Sequence, residues 1–344
     1  MSTRVVHFVG SFPADGTDDA MRAMLDGAGR RMLTLPTGET WRYEFYIQPI
    51  IAELVAQGAL EVKKPGTLRS SRERSIHRAP RGIRLTGDLL NLGYLREADE
   101  ALPVFRRLRA EYELPEVSLQ IGMPTDFTLA FIAMGATGLR RHRKAFRDAT
   151  VREMAAVRAR VGAEVVLQLE ATAELVLMAK TQPLHRKTDA ALQLSRGIAD
   201  LAAAAPEGAR IGVHLCLGSM HNRARATLRD LRPFVDLANS IARQWPSGRT
   251  LEYVHGPLAA GERPPPTRFE FYAPLAELDP GIRFYAGLVH EEPSEPEQIR
   301  TVRMVERALG RPVDGLASAC GLGRRPRPIA DAMVRRAERL CAAV

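Results

Sequence analysis

Short apolar runs rich in β-branched residues alternate with longer stretches of helical periodicity along almost the whole chain. The runs VVHFVG (5–10), MLTLP (32–36), VSLQIG (117–122), EVVLQLE (164–170), RIGVHLC (210–216), TLEYV (250–254), IRFYAGLV (282–289) and VDGLASA (313–319) predict eight strands. Between them apolar residues recur every three or four positions, predicting amphipathic helices at 17–29, 98–112, 144–160, 188–204, 224–243 and 296–309. A closing helix is expected from about residue 327. Alternation of this kind predicts parallel βαβ units, and eight of them predict an α/β fold: a single (β/α)8 TIM barrel. No internal repeat at a fixed period is visible. The stretch 42–115, between strands two and three, is too long for a simple crossover. It is expected to be an insertion covering one rim, so that 1–344 forms one domain.

Composition narrows the setting. The chain has 344 residues, 45% hydrophobic and 26% charged, enough for a large core and too apolar for disorder. No run of about 18 apolar residues exists, so no transmembrane helix is expected. The start, MSTRVVHFVGSFP, is interrupted too soon to be a signal peptide. Three cysteines, Cys216, Cys320 and Cys341, do not make a disulfide framework, and a reducing cytoplasmic location is expected. The net charge of +9 is partly local: residues 62–84 hold eight Lys/Arg against one Glu. That segment is either a solvated insertion or a docking surface for an anionic ligand or partner. No nucleic-acid-binding signature accompanies it, so neither nucleic acid nor membrane is an expected partner.

A barrel places its chemistry at the C-terminal ends of its strands, and reactive residue types gather there. His214 and Cys216 end strand five, two apart and therefore on one face. Glu252 lies on strand six, His290 follows strand seven and Cys320 ends strand eight. A buried cysteine alone is usually a small hydrophobe, and a lone strand-end His or Glu is usually a hydrogen-bonded surface residue. Joint placement at one rim points instead to a four-donor Zn²⁺ site of His214, Cys216, Glu252 and Cys320. Such an electron-rich set suits activation of a thiolate rather than ionisation of water. Cys341, in the last helical turn, reads as structural.

The motifs VGSFP on the first strand, HLC on the fifth, LE on the sixth, a histidine after the seventh and ACGLGRR at the eighth resemble the catalytic barrel of the cobalamin-independent methionine synthase family. The resemblance covers nearly the whole chain, and H-x-C with the later C-G-L is its most specific part. It implies zinc ligands His214, Cys216, Glu252 and Cys320. The gap from Cys216 to Glu252 is longer than the family's, and His255 in EYVHGP is the substitute, on the opposite strand face and nearer the rim. The resemblance also implies that Gly10 and Ser11 hold a substrate carboxylate, that Glu39 and Glu170 hold its ammonium, and that His290 relays a proton to the leaving group.

Departures bear on the substrate. The family's full enzyme has two barrels and this chain reads as the catalytic one alone. The family's Asp-Glu-Pro on strand four becomes Glu170-Ala171-Thr172, and its third-strand TGP becomes GMPTDF (122–127). The tryptophan that stacks on the pterin has no counterpart, TLAFIAMG offering only Phe131. Trp41, Tyr43, Phe45 and Tyr46 form either a different aromatic wall or the buried face of a helix. The expected function is zinc-dependent methyl (alkyl) transfer to a small-molecule thiol, homocysteine or a related amino-acid thiol. The donor stays open between a folate, a corrinoid and another carrier. Alternatives on the same barrel are a thiol alkyltransferase, C–S lyase or demethylase with a different substrate, or a non-catalytic binding protein.

Overall fold

The computed structural model describes residues 4–42, 45–66 and 74–343. Eight parallel strands form one curled sheet: β1 (Val5–Val6), β2 (Thr34–Pro36), β3 (Ser118–Pro124), β4 (Val165–Ala171), β5 (Arg210–Leu215), β6 (Thr250–Pro257), β7 (Phe284–Val289) and β8 (Gly315–Ser318). Their order is β1-β8-β7-β6-β5-β4-β3-β2, every neighbour parallel. The chain adjoining the two edge strands meets through Val6 N–H to Arg31 O (2.8 Å) and Phe12 N–H to Gly38 O (2.9 Å), giving the sheet a barrel-like form.

β1 is shorter than the apolar run 5–10 suggests, because amide side chains replace part of its ladder. Gln120 on β3 donates to the carbonyls of Phe8 and Val9 (both 2.9 Å), and Gln168 on β4 donates to Val9 (2.6 Å). Tyr253 Oη, 3.1 Å from both glutamine oxygens, completes a polar layer inside an otherwise apolar barrel.

The helices lie outside and turn apolar faces to the sheet. Arg232–Arg243 shows how sequence dictates this: Phe234, Val235, Leu237, Ala238 and Ile241 are buried on one stripe. Asp126–Val161 begins well before the periodic stretch 144–160; Thr125 caps it by accepting from Thr128 N–H, and Gly135 at φ +69° kinks it. The expected helix 188–204 is two pieces, divided at Gln193 (φ +50°). Between β2 and β3 lie the helix Gln48–Ala56, an antiparallel hairpin of Glu61–Lys64 with Ile76–Arg78, and the helix Tyr94–Glu111. The last of these packs against helices Thr17–Ala28 and Asp126–Val161, as a crossover helix does. Among the described residues no helix is long and apolar enough to cross a membrane.

Candidate metal and substrate site

Strands β5 and β8 end side by side in space across the barrel mouth, bringing His214, Cys216 and Cys320 together, with their ligand-type atoms all within 4.8 Å. The two Sγ atoms are 3.5 Å apart, well beyond a disulfide's length of about 2.05 Å, so both thiols are free. Cys320 accepts from the Cys216 thiol and from Ser219 Oγ (3.0 Å). The hydrogen bond from Cys216 and the nearby Arg324 hold the Cys320 thiol well below its ordinary pKa. Donating to Cys320, together with burial, pushes Cys216 up. The backbone N–H of Gly218 points at Cys216 Sγ (3.2 Å). The register between β7 and β8 shifts at Ala317/Ser318, where Leu288 of β7 is the extra, unpaired residue, just before the strand end that carries Cys320. His214 is 2% exposed; its Nδ1 meets His255 Nδ1 at 2.7 Å, while its Nε2 is buried without a hydrogen-bond partner. An orphaned imidazole nitrogen beside two sulfurs fits Zn²⁺, which takes N and S donors in a tetrahedron and keeps a position open where it is catalytic.

Glu252, expected as the fourth ligand, is not in this cluster. β6 runs on to Pro257, so Glu252 stands near its start, where Arg210 at the start of β5 binds it at 2.6 Å. His214 pairs in register with His255, three residues further on, which puts Glu252 about 10 Å nearer the opposite barrel end. Ending the strand at 254 made Glu252 look close to the rim. His255, the substitute, is also no ligand: its Nε2 lies 3.1 Å from Ser318 O, so both its nitrogens are engaged. Burial, with His214 and His7 close by, keeps its pKa well below the ordinary value and the ring neutral. His290 is likewise withheld from the cysteines. Its Nε2 meets Gly261 O (3.0 Å) and its Nδ1 accepts from Glu292 N–H (3.2 Å), so it pins two loops rather than facing the cavity. Cys341 packs in the last helix, its thiol on Val5 O (3.4 Å).

Beside the cysteines, Glu39 and Glu170 converge. Glu39 sits in a left-handed turn (φ +49°) after Gly38 (φ +82°), its N–H held by Thr37 Oγ1. Glu170 comes from the end of β4. Both carboxyls lie over Gly122: a Cβ there would stand 2.7 Å from Glu170 Oε1 and 2.8 Å from Glu39 Oε1, so only glycine leaves them room. Arg42, wholly buried, reaches Glu39 at 3.1 Å and Glu97 at 3.6 Å, and donates to Gly122 O (3.0 Å). Glu170 Oε2 has no partner. Burial raises the pKa of both acids, most for Glu170, which also feels Glu39. Of the two carboxylates, Glu39 has Arg42 as its ion-pair partner and Glu170 has none of its own among the described residues.

Glu39, Glu170, His214, Cys216 and Cys320 line one cavity, which also holds Ser11 and Arg324. Gly10 packs against Glu39. Ser11 O accepts from Leu322 and Gly323 N–H (2.8 and 3.1 Å), and its Oγ accepts from Arg324 (3.0 Å). Arg324 escaped the sequence reading, although ACGLGRR displays it; its neighbour Arg325 is taken up by Glu291 at 2.9 Å. Of the aromatic stretch, Phe45 and Tyr46 wall the cavity from a turn, and Trp41 bonds Glu97 instead (3.2 Å). Tyr43 and residues 67–73 of the basic segment lie outside the described residues. Arg74 of that segment reaches the cavity wall; with Lys64, Lys180 and Arg225 it also lines an adjoining groove floored by Phe131 and Ile132.

Neither a family model nor a curated protein matches the sequence. Solved structures do match the fold. A B12-independent methionine synthase from Shewanella sp. W3-18-1 in complex with selenomethionine superposes with a TM-score of 0.64 at 12% identity, covering 99% of this chain and 97% of that one. A methyltransferase from Methanosarcina mazei gives 0.54 at 15%, covering 98% and 94%. A putative vitamin-B12 independent methionine synthase from Listeria monocytogenes gives 0.51 at 13%, covering 98% of both chains. At these identities the likeness establishes a shared fold over essentially the whole chain.

Proposed function

We propose that this protein is a zinc-dependent alkyltransferase, in the first instance a methyltransferase, acting on the thiol of an amino acid such as homocysteine, on a (β/α)8 barrel. One observation carries the reading: a nitrogen without a partner and two thiols share a cavity with two buried carboxylates, of which Glu170 has no ion-pair partner among the described residues. Structural neighbours described as methionine synthases and as a methyltransferase support it.

His214, Cys216 and Cys320 would hold the zinc, which when bound lowers the pKa of a substrate thiol so that thiolate exists near neutral pH. Glu39 and Glu170 take the substrate ammonium as a two-carboxylate clamp. Across the cavity Arg324, braced by Ser11, takes the carboxylate, aided by the Gly10–Ser11 turn. Holding both ends of the amino acid aims its sulfur at the cysteines and leaves it little freedom, which is where a displacement reaction gains most. The sulfur attacks the alkyl carbon of the donor; the new S–C bond forms as the carbon–donor bond breaks, its electron pair leaving with the donor. The wall contributed after β3 is Ile132 rather than a stacking aromatic, so methyl-tetrahydrofolate is not the donor in this reading.

The test is transfer itself. Zinc-loaded protein given homocysteine and a panel of methyl donors should form methionine with at least one, and Cys320→Ser should abolish it. Wild-type turnover that survives complete removal of zinc overturns the proposal.

A further inference from the structure

We infer that His255 is a positioning residue for the metal-binding face of His214, fixing which of that ring's nitrogens is left without a proton. The inference rests on the metal-holding reading above. His214 and His255 are register partners on β5 and β6, so their side chains enter the same layer of the barrel. Their rings lie 4.8 Å apart, and the two Nδ1 atoms 2.7 Å apart. At that separation one nitrogen carries the hydrogen and the other supplies the lone pair.

The far side of His255 decides which. Its Nε2 is 3.1 Å from Ser318 O, a carbonyl, which only accepts. His255 therefore carries its proton on Nε2, and a neutral ring then presents a lone pair at Nδ1. That lone pair accepts from His214 Nδ1–H. His214 is left bare at Nε2, the buried nitrogen without a partner beside the two sulfurs. The chain of donors runs one way, from His214 through His255 to Ser318. Ser318 also donates its Oγ to Cys320 O (2.6 Å), so one residue braces both the histidine chain and the loop carrying a cysteine ligand. The fold reserves space for this arrangement: a Cβ on Gly287 of β7 would stand 2.7 Å from His255 Nε2. Had the chain run the other way, His214 would aim an N–H at the thiols and could not ligate. A general packing role for His255 would affect stability but not the affinity of His214 for a metal.

The experiment compares wild type with His255→Asn, His255→Gln and His255→Leu. The amide of Asn sits near the position of Nδ1 and can still accept from His214; that of Gln sits near Nε2; Leu accepts nothing. Zinc affinity is read by competition with a chromophoric chelator, and the ligand set by the absorption spectrum of the cobalt(II) form. Loss of a partner that orients a ligand typically costs about 10–100-fold in metal affinity. His255→Leu should lose affinity on that scale, with the cobalt ligand-field bands shifted while thiolate-to-metal bands persist. His255→Asn should bind markedly tighter than His255→Leu and His255→Gln. Equal affinities and unchanged cobalt spectra across the series overturn the inference while leaving the metal site standing. Should His255→Leu fail to melt cooperatively, the Asn–Gln contrast decides, and equality there overturns it. Wild-type protein that binds neither zinc nor cobalt overturns both readings.

Discussion

Gly122 shows at the scale of one residue how closely the site is built. It has no side chain because two carboxylates use the space above it, and those carboxylates repel one another in a buried place. Burial raises the pKa of both, so an arriving cation, by stabilising their charged forms, draws protons off the pair. Binding of methionine, which offers an ammonium but no thiol, should therefore release a proton, measurable by calorimetry in buffers of different ionisation enthalpy. Glu170→Gln should remove that release. Either Glu39→Gln or Glu170→Gln should weaken amino-acid binding by about 10–100-fold, the scale of a hydrogen bond to a charged group, with zinc content unchanged. Unchanged affinity in both variants would mean that the pair does not hold an ammonium. His214, Cys216 and Cys320 were legible as a rim cluster because a strand end and a spacing of two are local facts. Arg324 was in plain view in ACGLGRR, but nothing local says that it turns inward while Arg325 turns to Glu291. Glu252 was misplaced because its position depends on where β6 ends, and the role of His255 depends on register with β5; neither is local.

Among the elements, the eight strands and most helices followed from periodicity. β1 did not keep its predicted length, since side-chain amides of Gln120 and Gln168, far off in sequence, take over its carbonyls. The helix Asp126–Val161 outran its periodic stretch because its first turns are buried on most sides, which erases the amphipathic signal. Those turns are tied to the short helix Thr172–Lys180, which the sequence reading passed over, by Glu174, wholly buried and accepting from Thr125 and Thr128. Burial raises Glu174 from 4.5 to about 6. An acid whose folded pKa is raised adds stability below its unfolded pKa and loses it as pH climbs through the folded value. The charged form thus costs about 2 kcal/mol at neutral pH. Glu174→Gln should accordingly melt higher than wild type at pH 7, the gap closing as the pH falls from 6 to 4.5. A gap that is constant with pH would show that Glu174 is not held in this way.

For the whole molecule, the strand order places β2 to β8 each next to its sequence neighbour and β1 beside β8, so the candidate ligands at the ends of β5 and β8 meet only because the sheet curls. Strand–helix alternation made the curled parallel sheet readable; which side chains face one another across the mouth was not. An extensive apolar core packs the sheet against its helices, so metal should add stability without being needed for folding. Saturating zinc at about a thousand times its dissociation constant adds about 4 kcal/mol. Chelation should lower the melting temperature by several degrees and leave the far-ultraviolet dichroism unchanged; unfolding on chelation would contradict this. The central claim, a zinc held by His214, Cys216 and Cys320 with room for a substrate sulfur, is tested most directly by zinc-edge X-ray absorption of purified protein before and after addition of homocysteine. The account predicts about one zinc per chain, two sulfurs in its shell before addition and three after. A shell without sulfur, or one that homocysteine leaves unchanged, would contradict it.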